Sequence, residues 1–584
     1  AALNTTVEYT RDLRDSVTIR VVTVGTTTFR HWYDHDARGL LWKVYADSSS
    51  TKPATPDVTY TYRPSGEVAS RQFSGGSAVA LRYTIREQLA QIGDPAATTH
   101  PFSARYSYHA NGTVSEAEFY SAGSPAAKRY RYQFGAASYD ALNRLRGADY
   151  SGWSGSSWTS TLAHDLTAIG YDGAGNLTTL RRYRENGTLI DNLTYAYLPG
   201  TNRLGSLAEA AGASTESWDA EAGSFTYDAN GNLKTAGAPY SLTAATYDHR
   251  NLPLSLTRAG VVTSYRYDHA GQRTSKQTGS ATAEYYVLEG PTTLAVFSVS
   301  SSGAASSWHY NVLAGGRVVG RQPSTGARRY YHTDLLGSTR AVVEGAAVVE
   351  SYDYDPWGLL MPGRTLGSGT KEGFTGKERD AETGLDYFGA RYYMAALGRW
   401  SSVDPPADSF PSWSPYNYVY NNPVALTDPF GLCSPWPWCM VGAVVGGGVL
   451  VVLDGPLPLG DMVAGLLISA AATGAVVTGG EQTVLNEDAE EHREGGNSPA
   501  GAPGQTAGGR ATDEWGNVLG PSGEPAIHQV NHSTRKGAKD AARAEGDRAP
   551  VNHPTPARGR PHFHPTDRDG NKIPNSTHHN YPPK

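Results

Sequence analysis

The sequence predicts an all-β protein, and three observations support that prediction. Tyrosine is abundant, with 36 residues in a chain of 584, whereas there are only 4 methionines and 12 phenylalanines. Glycine is abundant too, at 66 residues, which suits strands joined by short turns. A short tyrosine-containing motif also recurs along the first half. Since a chain of this length exceeds one ordinary hydrophobic core, we expect a repeat array or shell.

The recurring motif is Tyr-Asp followed by a turn, usually with glycine, and then by Asn or Arg before Leu. Clear copies begin at Tyr139, Tyr171 and Tyr227, and weaker copies begin at Tyr247 and Tyr267. Asp, Gly and Asn favour the turn, and alternating aromatic and polar residues on either side favour strands. One unit cannot bury its tyrosine face alone. We therefore expect the units to stack into a continuous sheet that coils on itself.

A second informative stretch runs from Tyr330 to Leu432. It contains YYHTDLLGSTRAVV, YDYDPWG and LDYFGARYYMAALGRWSSVDP. Together with the Tyr-Asp motifs, it resembles the repeats and the associated core domain of RHS proteins, which are related to the teneurin shell. The resemblance covers residues 20–432. It implies a hollow β-strand cocoon that encloses a C-terminal toxin and is delivered from a bacterial cell.

Changes of composition divide the chain into five segments. We expect a repeat shell over residues 1–329, an associated core with a self-cleavage site over 330–432, an apolar helical hairpin over 433–480, a flexible linker over 481–527 and a small α+β tip over 528–584. The linker is acidic at first and then rich in Gly, Ser, Pro and Ala. Such a composition cannot bury enough apolar surface to order itself.

Two Asp-Pro sequences lie near the end of the associated core, at Asp404 and Asp428. Two carboxyl groups held close in a poorly solvated site cannot both ionise easily. One then keeps a proton while the other activates water, an arrangement that cleaves amides. The same sequences are typical of turns, in which Asp opens the turn and Pro sets the next residue. From the residues alone, the turn interpretation is favoured.

The RHS resemblance implies the catalytic interpretation instead, with Asp404 and Asp428 as the pair that cuts the chain after Leu432. The first motif departs from the family pattern Asp-Pro-x-Gly-Leu, because Pro-Ala-Asp follows its Asp-Pro. Arg399 lies just upstream of the first motif. It could hold a carboxylate or polarise the scissile carbonyl, or it could stack on the tyrosine-rich wall.

Two apolar runs follow, over residues 440–452 and 462–479. The first is too short to span a bilayer alone, and the second is marginal against the roughly 20 residues that a membrane helix needs. Two interpretations stay open. The runs could form a buried helical hairpin, or residues 440–479 could make transient contact with a target membrane. The two cysteines, Cys433 and Cys439, are too few for a four-thiolate zinc site.

The last segment is basic and rich in histidine, whereas the whole chain carries a formal net charge of −6. A basic patch attracts phosphate, and histidine titrates near neutral pH. The combination therefore suits acid–base cleavage of RNA. His562 and His564 would share one face of a strand. The candidate nuclease residues are His562, His564, His578, His579, Lys572 and Asp567.

Other interpretations of the tip and of the whole protein stay open. An HNH-type metal-dependent DNase would use a histidine pair with Asp567 or Asn580 to bind a divalent ion, and otherwise we expect no cofactor. A histidine-rich tail can also be inert, as in a cell-surface adhesion protein built on the same shell.

The resemblance to polymorphic toxins also implies partners and a location. The expected partners are a cognate immunity protein, RNA or DNA as substrate, and a component of a secretion system. We expect a secreted or cell-surface protein whose tip acts in the cytoplasm of a target cell.

Overall fold

The structure is a computed structural model, and it describes most of the first 432 residues. The described ranges are 5–76, 78–123, 128–160, 162–210, 223–300, 305–361, 363–409 and 411–432, with shorter pieces at 440–441, 504–505, 511–512, 529–531, 539, 551–553, 562–564 and 578–580. The chain divides into two compact units, residues 1–480 and 481–584. Strands dominate the described residues, so the all-β prediction is confirmed.

The first unit begins with an antiparallel sheet whose thirteen described strands follow one another in chain order. They are Thr5–Arg11, Val17–Val24, Thr27–His35, Leu41–Asp47, Val58–Tyr62, Val68–Phe73, Val79–Tyr83, Leu89–Ile92, Phe102–Tyr108, Val114–Ser121, Lys128–Gln133, Asp149–Trp153 and Trp158–Thr159. Each strand pairs with its neighbours in sequence, as expected for stacked hairpins.

The repeats continue through three further groups of described strands. A five-stranded sheet contains Leu166–Tyr171, Leu177–Tyr183, Leu189–Tyr197, Leu204–Glu209 and Gly223–Ser224, and a two-stranded pair contains Thr226–Tyr227 and Leu233–Thr235. An eleven-stranded sheet contains Leu242–Tyr247, Pro253–Arg258, Val261–Tyr267, Arg273–Thr278, Ala283–Glu289, Thr292–Val299, Ala305–Ala314, Arg317–Pro323, Arg329–Thr333, Thr339–Glu344 and Ala347–Ser351.

The associated core is built from shorter elements. Its described strands are Glu378–Asp380, Leu385–Tyr387, Tyr392–Met394 and Arg399–Trp400, which form one sheet, and Leu426–Thr427, which pairs with Met440–Val441. Single 3₁₀ turns occur at Ala136–Ser138, Phe374–Gly376, Ala395–Leu397, Ala407–Ser409 and Val419–Asn421. Within the described part of the chain, no helix is long and apolar enough to cross a membrane.

The repeat motif works as a turn held by its own aspartate. In the unit that begins at Tyr227, Oδ1 of Asp228 accepts the backbone N–H of Asn232 at 2.8 Å. Oδ1 of Asp172 accepts the N–H of Asn176 at the same distance. The short polar side chain thus replaces a backbone acceptor and fixes the reversal between two strands.

The tyrosines of the motif link one unit to the one before it. The hydroxyl of Tyr247 donates to the carbonyl of Leu233 at 2.6 Å, and the hydroxyl of Tyr197 donates to that of Leu177 at 2.7 Å. The same contact recurs with Tyr108 on Leu89, Tyr139 on Val114 and Tyr171 on Leu145. Each ring is packed while its hydroxyl keeps an acceptor, as a buried tyrosine requires.

The associated core docks on these repeat turns through the backbone. The N–H of Leu145 donates to the carbonyl of Asn421 at 2.8 Å, and the N–H of Leu233 donates to the carbonyl of Ser401 at 3.0 Å. Tyr393, Trp400 and Tyr418, all fully buried, pack around one another behind this contact. The two Asp-Pro loops therefore rest on a rigid base.

Part of the predicted helical hairpin differs in the structure. Met440 and Val441 form a short strand along Leu426–Thr427, because their extended backbone completes the hydrogen bonds of that edge. These two residues are extended rather than helical, and the hairpin as a whole stays a prediction. The rest of the two apolar runs lies outside the described residues, as do Cys433 and Cys439.

The second unit is described through short strands. Gly504–Gln505 pairs with Ala511–Thr512, inside the segment predicted as a linker. A four-stranded sheet then has the order Gln529–Asn531, His578–Asn580, His562–His564, Val551–His553, with the first pair parallel and the others antiparallel.

Candidate functional site

A buried ion cluster joins the two Asp-Pro loops of the associated core. Oδ2 of Asp404 and Oδ2 of Asp428 both lie near Nη2 of Arg391, at 3.1 Å and 3.3 Å. All three side chains are almost completely buried. Since an isolated charge is costly away from water, the guanidinium supplies the opposite charge that this carboxyl pair needs.

Asp428 is held by the same turn geometry as the repeat aspartates. Its Oδ1 accepts the N–H of Phe430 at 3.2 Å and the N–H of Leu432 at 3.0 Å. The turn predicted for this motif is therefore present. Because only Oδ1 closes the turn, Oδ2 is left to face Arg391.

Asp404 is also buried, and its backbone fixes the first Asp-Pro loop. Its N–H donates to the carbonyl of Pro415 at 3.0 Å, and its carbonyl accepts the N–H of Ala407 at 2.9 Å. Among the described residues, its Oδ1 is buried without a hydrogen-bond partner. Burial is the main cause that raises the pKa of Asp404 to about 7. The guanidinium of Arg391 lowers this pKa, and the charge of Asp428 raises it.

The residues just before Leu432 are held by the segment that carries Arg391. Nε of Arg391 donates to the carbonyl of Gly431 at 2.5 Å, and the N–H of Ala390 donates to the carbonyl of Phe430 at 3.0 Å. Gly431 has a φ of +72°, and a Cβ there would lie 3.0 Å from the backbone nitrogen of Arg391. Glycine is therefore required at this close approach.

Arg399 does not join this cluster. Its guanidinium stacks on the rings of Tyr197 and Tyr416, at 5.3 Å and 5.0 Å, and Nη2 donates to the carbonyl of Asn202 at 3.0 Å. The sequence left open whether Arg399 contacts a carboxylate or stacks on tyrosines, and in the structure it stacks on tyrosines. The arginine beside the carboxyl groups is Arg391, which the sequence interpretation missed.

A signal for Arg391 was present in the sequence. It lies in YFGARYYMAAL, where a single charge interrupts a long aromatic and apolar run. A charge in such a run must either reach solvent or find a buried partner of opposite sign. Arg391 also lies over the ring of Trp400, with its guanidinium carbon 4.1 Å from the ring centroid.

In the tip, the sheet brings four of the candidate histidines onto two neighbouring strands. His562 and His564 lie on one strand, and His578 and His579 lie on the next. Phe563 is paired with His579 across the two strands. Asp567 and Lys572 lie outside the described residues.

A further histidine, His553, lies on the strand that borders the other side of His562–His564. It is paired directly with His562. Directly opposed residues of antiparallel strands have Cα atoms about 4.5–5.5 Å apart. His553 is not among the candidate residues predicted from the sequence, because its partner strand cannot be identified from spacing. In the part of the chain that is described, no group of three or more His, Cys, Asp and Glu residues is placed to hold a metal ion.

Several curated proteins are similar to this chain. The toxin subunit YenC1 of Yersinia entomophaga is 30% identical over 297 residues, which are 45% of this chain and 28% of YenC1. The tRNA3(Ser)-specific nuclease WapA of Bacillus spizizenii is 26% identical over 288 residues, 47% of this chain and 11% of WapA. The probable deoxyribonuclease RhsA of Dickeya dadantii is 26% identical over 468 residues, 72% of this chain and 29% of RhsA.

The relatives that this chain is similar to are RHS and Tc-toxin family proteins. The chain spans between 11% and 29% of the length of these three RHS relatives. No family model matches it. Among solved structures, the pore of the Photorhabdus luminescens Tc holotoxin with a mutated TccC3 subunit has a TM-score of 0.57 and 21% identity, over 73% of this chain and 21% of that chain. This likeness supports the RHS shell as the fold.

Proposed function

We propose that this protein is a self-cleaving RHS toxin in which Asp404 and Asp428 cut the chain after Leu432. The observation that carries the proposal is the pair of buried carboxyl groups that share one nitrogen of Arg391. Asp428 also accepts the N–H of Leu432, so the residue before the proposed cut is held against one member of the pair.

The chemistry follows from the different surroundings of the two carboxyl groups. Burial raises the pKa of Asp404 to about 7, so Asp404 can keep a proton up to about neutral pH, while Oδ2 of Asp428 faces the guanidinium of Arg391. Asp428 takes a proton from water as the water oxygen attacks the carbonyl carbon of Leu432. Asp404 then donates its proton to the departing nitrogen of Cys433, and the carbon–nitrogen bond breaks.

The test is the mass of the purified full chain after folding. The wild type should yield a fragment that begins at Cys433, whereas Asp404→Asn and Asp428→Asn should stay intact. Asp355 offers a matched control, since it lies in another Asp-Pro-x-Gly-Leu sequence, is buried and pairs with Arg182 at 2.9 Å. Asp355→Asn should still be cleaved, and an intact wild-type chain would refute the proposal and favour the adhesion interpretation.

For the tip we infer a nuclease whose substrate is RNA. Relatives named as a tRNA nuclease and a probable deoxyribonuclease support nuclease chemistry. The adjacency of the strands that carry His562, His579 and His553 supports acid–base catalysis by paired histidines. An immunity protein that binds the tip and a route of secretion follow from the toxin class.

The tip is tested by producing the full chain in bacteria and following growth and RNA integrity. We expect a growth defect with RNA cleavage for the wild type, and its loss in His562→Ala. His269→Ala, at an exposed histidine of a repeat turn, is the control and should remain toxic. DNA cleavage that stops when a chelator is added would favour the HNH interpretation, and normal growth with the wild type would refute the toxin proposal.

A further inference from the structure

Two loops of this protein have the same sequence pattern and nearly the same surroundings. Asp355 and Asp428 each begin an Asp-Pro-x-Gly-Leu sequence. Oδ1 of Asp355 accepts the N–H groups of Trp357 and Leu359, at 2.8 Å and 2.9 Å. These are the second and fourth residues after the aspartate, as in the loop of Asp428. The two turns are therefore equivalent.

The likeness extends to the charged partners. Arg182 lies 2.9 Å from Oδ2 of Asp355 and 2.9 Å from Oδ2 of Asp191, so it joins a second buried carboxyl pair. Nη2 of Arg379 donates to the carbonyl of Gly358 at 3.1 Å, as Arg391 does to that of Gly431. An Asp-Pro turn, a carboxyl pair bridged by arginine, and a captured glycine carbonyl therefore do not by themselves distinguish the proposed cleavage loop.

The donors to the loop carbonyls differ between the two loops. Nζ of Lys377 donates to the carbonyl of Pro429, whereas the carbonyl of Pro356, the equivalent residue, receives no side-chain donor among the described residues. With Lys377 in place, the carbonyls of Pro429, Phe430 and Gly431 are all held in succession. In the Asp428 loop, the three carbonyls from Pro429 to Gly431 therefore each have a donor.

The position of Lys377 is itself rigid. It directly follows the 3₁₀ turn Phe374–Gly376, and its N–H donates to the carbonyl of Phe374 at 3.0 Å. Its carbonyl accepts the N–H of Gly373 at 2.7 Å, and Nζ lies 5.4 Å from the ring centroid of Phe388. Burial is the main cause that lowers the pKa of Lys377 to about 8. The charge of Asp428 raises this pKa and that of Arg317 lowers it, and the ammonium stays largely charged at neutral pH.

We infer that Lys377 is a positioning residue for self-cleavage, holding the Pro429 carbonyl so that the chain before Leu432 stays in register with Asp404 and Asp428. This inference rests on the proposed cleavage. Lys377 takes no part in proton transfer. Its charged hydrogen bond fixes the loop, and an ammonium–carbonyl contact in a buried site is stronger than a neutral one.

The test is the rate of cleavage of freshly folded full chain, followed by mass, in Lys377→Met, Lys377→Gln and Lys377→Arg. Loss of a charge-assisted hydrogen bond should slow Lys377→Met by roughly 10- to 100-fold. Lys377→Arg should recover much of the rate because it restores a charged donor, and Lys377→Gln should lie between the two. If the side chain had a purely structural role, the cleavage rates of the three variants would not follow the order of donor strength.

Lys371→Met is the matched control. Lys371 lies on the same segment but pairs with Glu284 at 2.6 Å and with Glu378 at 3.1 Å, away from the Asp428 loop. It should cleave at the wild-type rate. The inference is overturned if Lys377→Met or Lys377→Gln cleaves as fast as wild type, or if Lys377→Arg is no faster than Lys377→Met. Absence of cleavage in the wild type would instead refute the proposed function.

Discussion

Asp404 and Asp428 approach the same nitrogen atom of Arg391 from two different loops. One guanidinium nitrogen cannot fully compensate two carboxylates in a buried site, so the pair is most stable when it shares a single proton. Burial is the main cause that raises the pKa of Asp404 to about 7. Asp404 can therefore keep a proton up to about neutral pH.

The first prediction is a pH dependence of cleavage. The rate should fall as pH rises through about 7, because Asp404 then loses the proton that the leaving nitrogen needs. The measurement is the initial rate of fragment formation at a series of pH values. Asp165, whose pKa burial raises to about 6, lies outside this cluster, and Asp165→Asn should keep the wild-type profile. A rate that rises steadily above pH 7 would contradict the assignment of Asp404 as the acid.

The second prediction concerns the stability of the uncleaved chain. Because the pKa of Asp404 is higher in the folded state than the value of 3.8 for a free side chain, the folded state binds this proton more tightly. Its contribution to the free energy of unfolding is complete below pH 3.8 and is lost as pH rises to about 7. In Asp428→Asn the upper end of this window lies lower, because the charge of Asp428 no longer raises the pKa of Asp404, but burial still raises it. The thermal midpoint of Asp428→Asn should therefore fall with rising pH by more than that of the double variant Asp404→Asn, Asp428→Asn. Equal decreases would show that Asp404 does not titrate there.

The third prediction separates backbone strain from close contact at Gly431. Gly431→Ala should abolish or strongly slow cleavage, because the new Cβ would press on the backbone of Arg391 and displace the Leu432 end of the loop. Gly345 has a similar φ of +61°, but a Cβ there would meet nothing within 4 Å. Gly345→Ala should therefore cleave normally despite a strain of about 1 kcal/mol.

If both alanine variants slowed cleavage to the same extent, the left-handed backbone alone would explain the effect. The contact with Arg391 would then be irrelevant to the reaction. The mass of the product at fixed times after folding distinguishes the two outcomes.

The repeat turns could be predicted from the sequence, because their determinants are local. Asp172 bonds to the N–H of Asn176 four residues later, and that spacing is visible in the motif itself. The acceptor of each tyrosine hydroxyl could not be predicted, since Leu233 and Tyr247 belong to different units and meet only when the sheet stacks. Local chemistry thus determines each turn, whereas the tyrosine contacts between units depend on the long-range register of the sheet.

The candidate site shows the same division. The family resemblance indicates Asp404 and Asp428, whereas nearness in sequence suggests Arg399 as the supporting cation. Arg391 and Arg399 lie on either side of the strand Tyr392–Met394 and the following 3₁₀ turn, which send them to different surroundings. Which arginine enters the buried pair depends on that geometry, and no spacing rule gives it.

The fourth prediction tests whether the tyrosine hydroxyl hydrogen bonds between repeat units stabilise the protein. Tyr247→Phe keeps the packed ring but removes the donor to the Leu233 carbonyl, and a buried acceptor left without its partner costs about 1 kcal/mol or more. Tyr285 is 42% exposed, and Tyr285→Phe should change stability little. The measurement is chemical denaturation of the intact Asp428→Asn chain carrying each substitution. If both substitutions lower the free energy of unfolding equally, the hydroxyl hydrogen bonds do not stabilise the shell. Packing of the rings alone would then hold one repeat on the next.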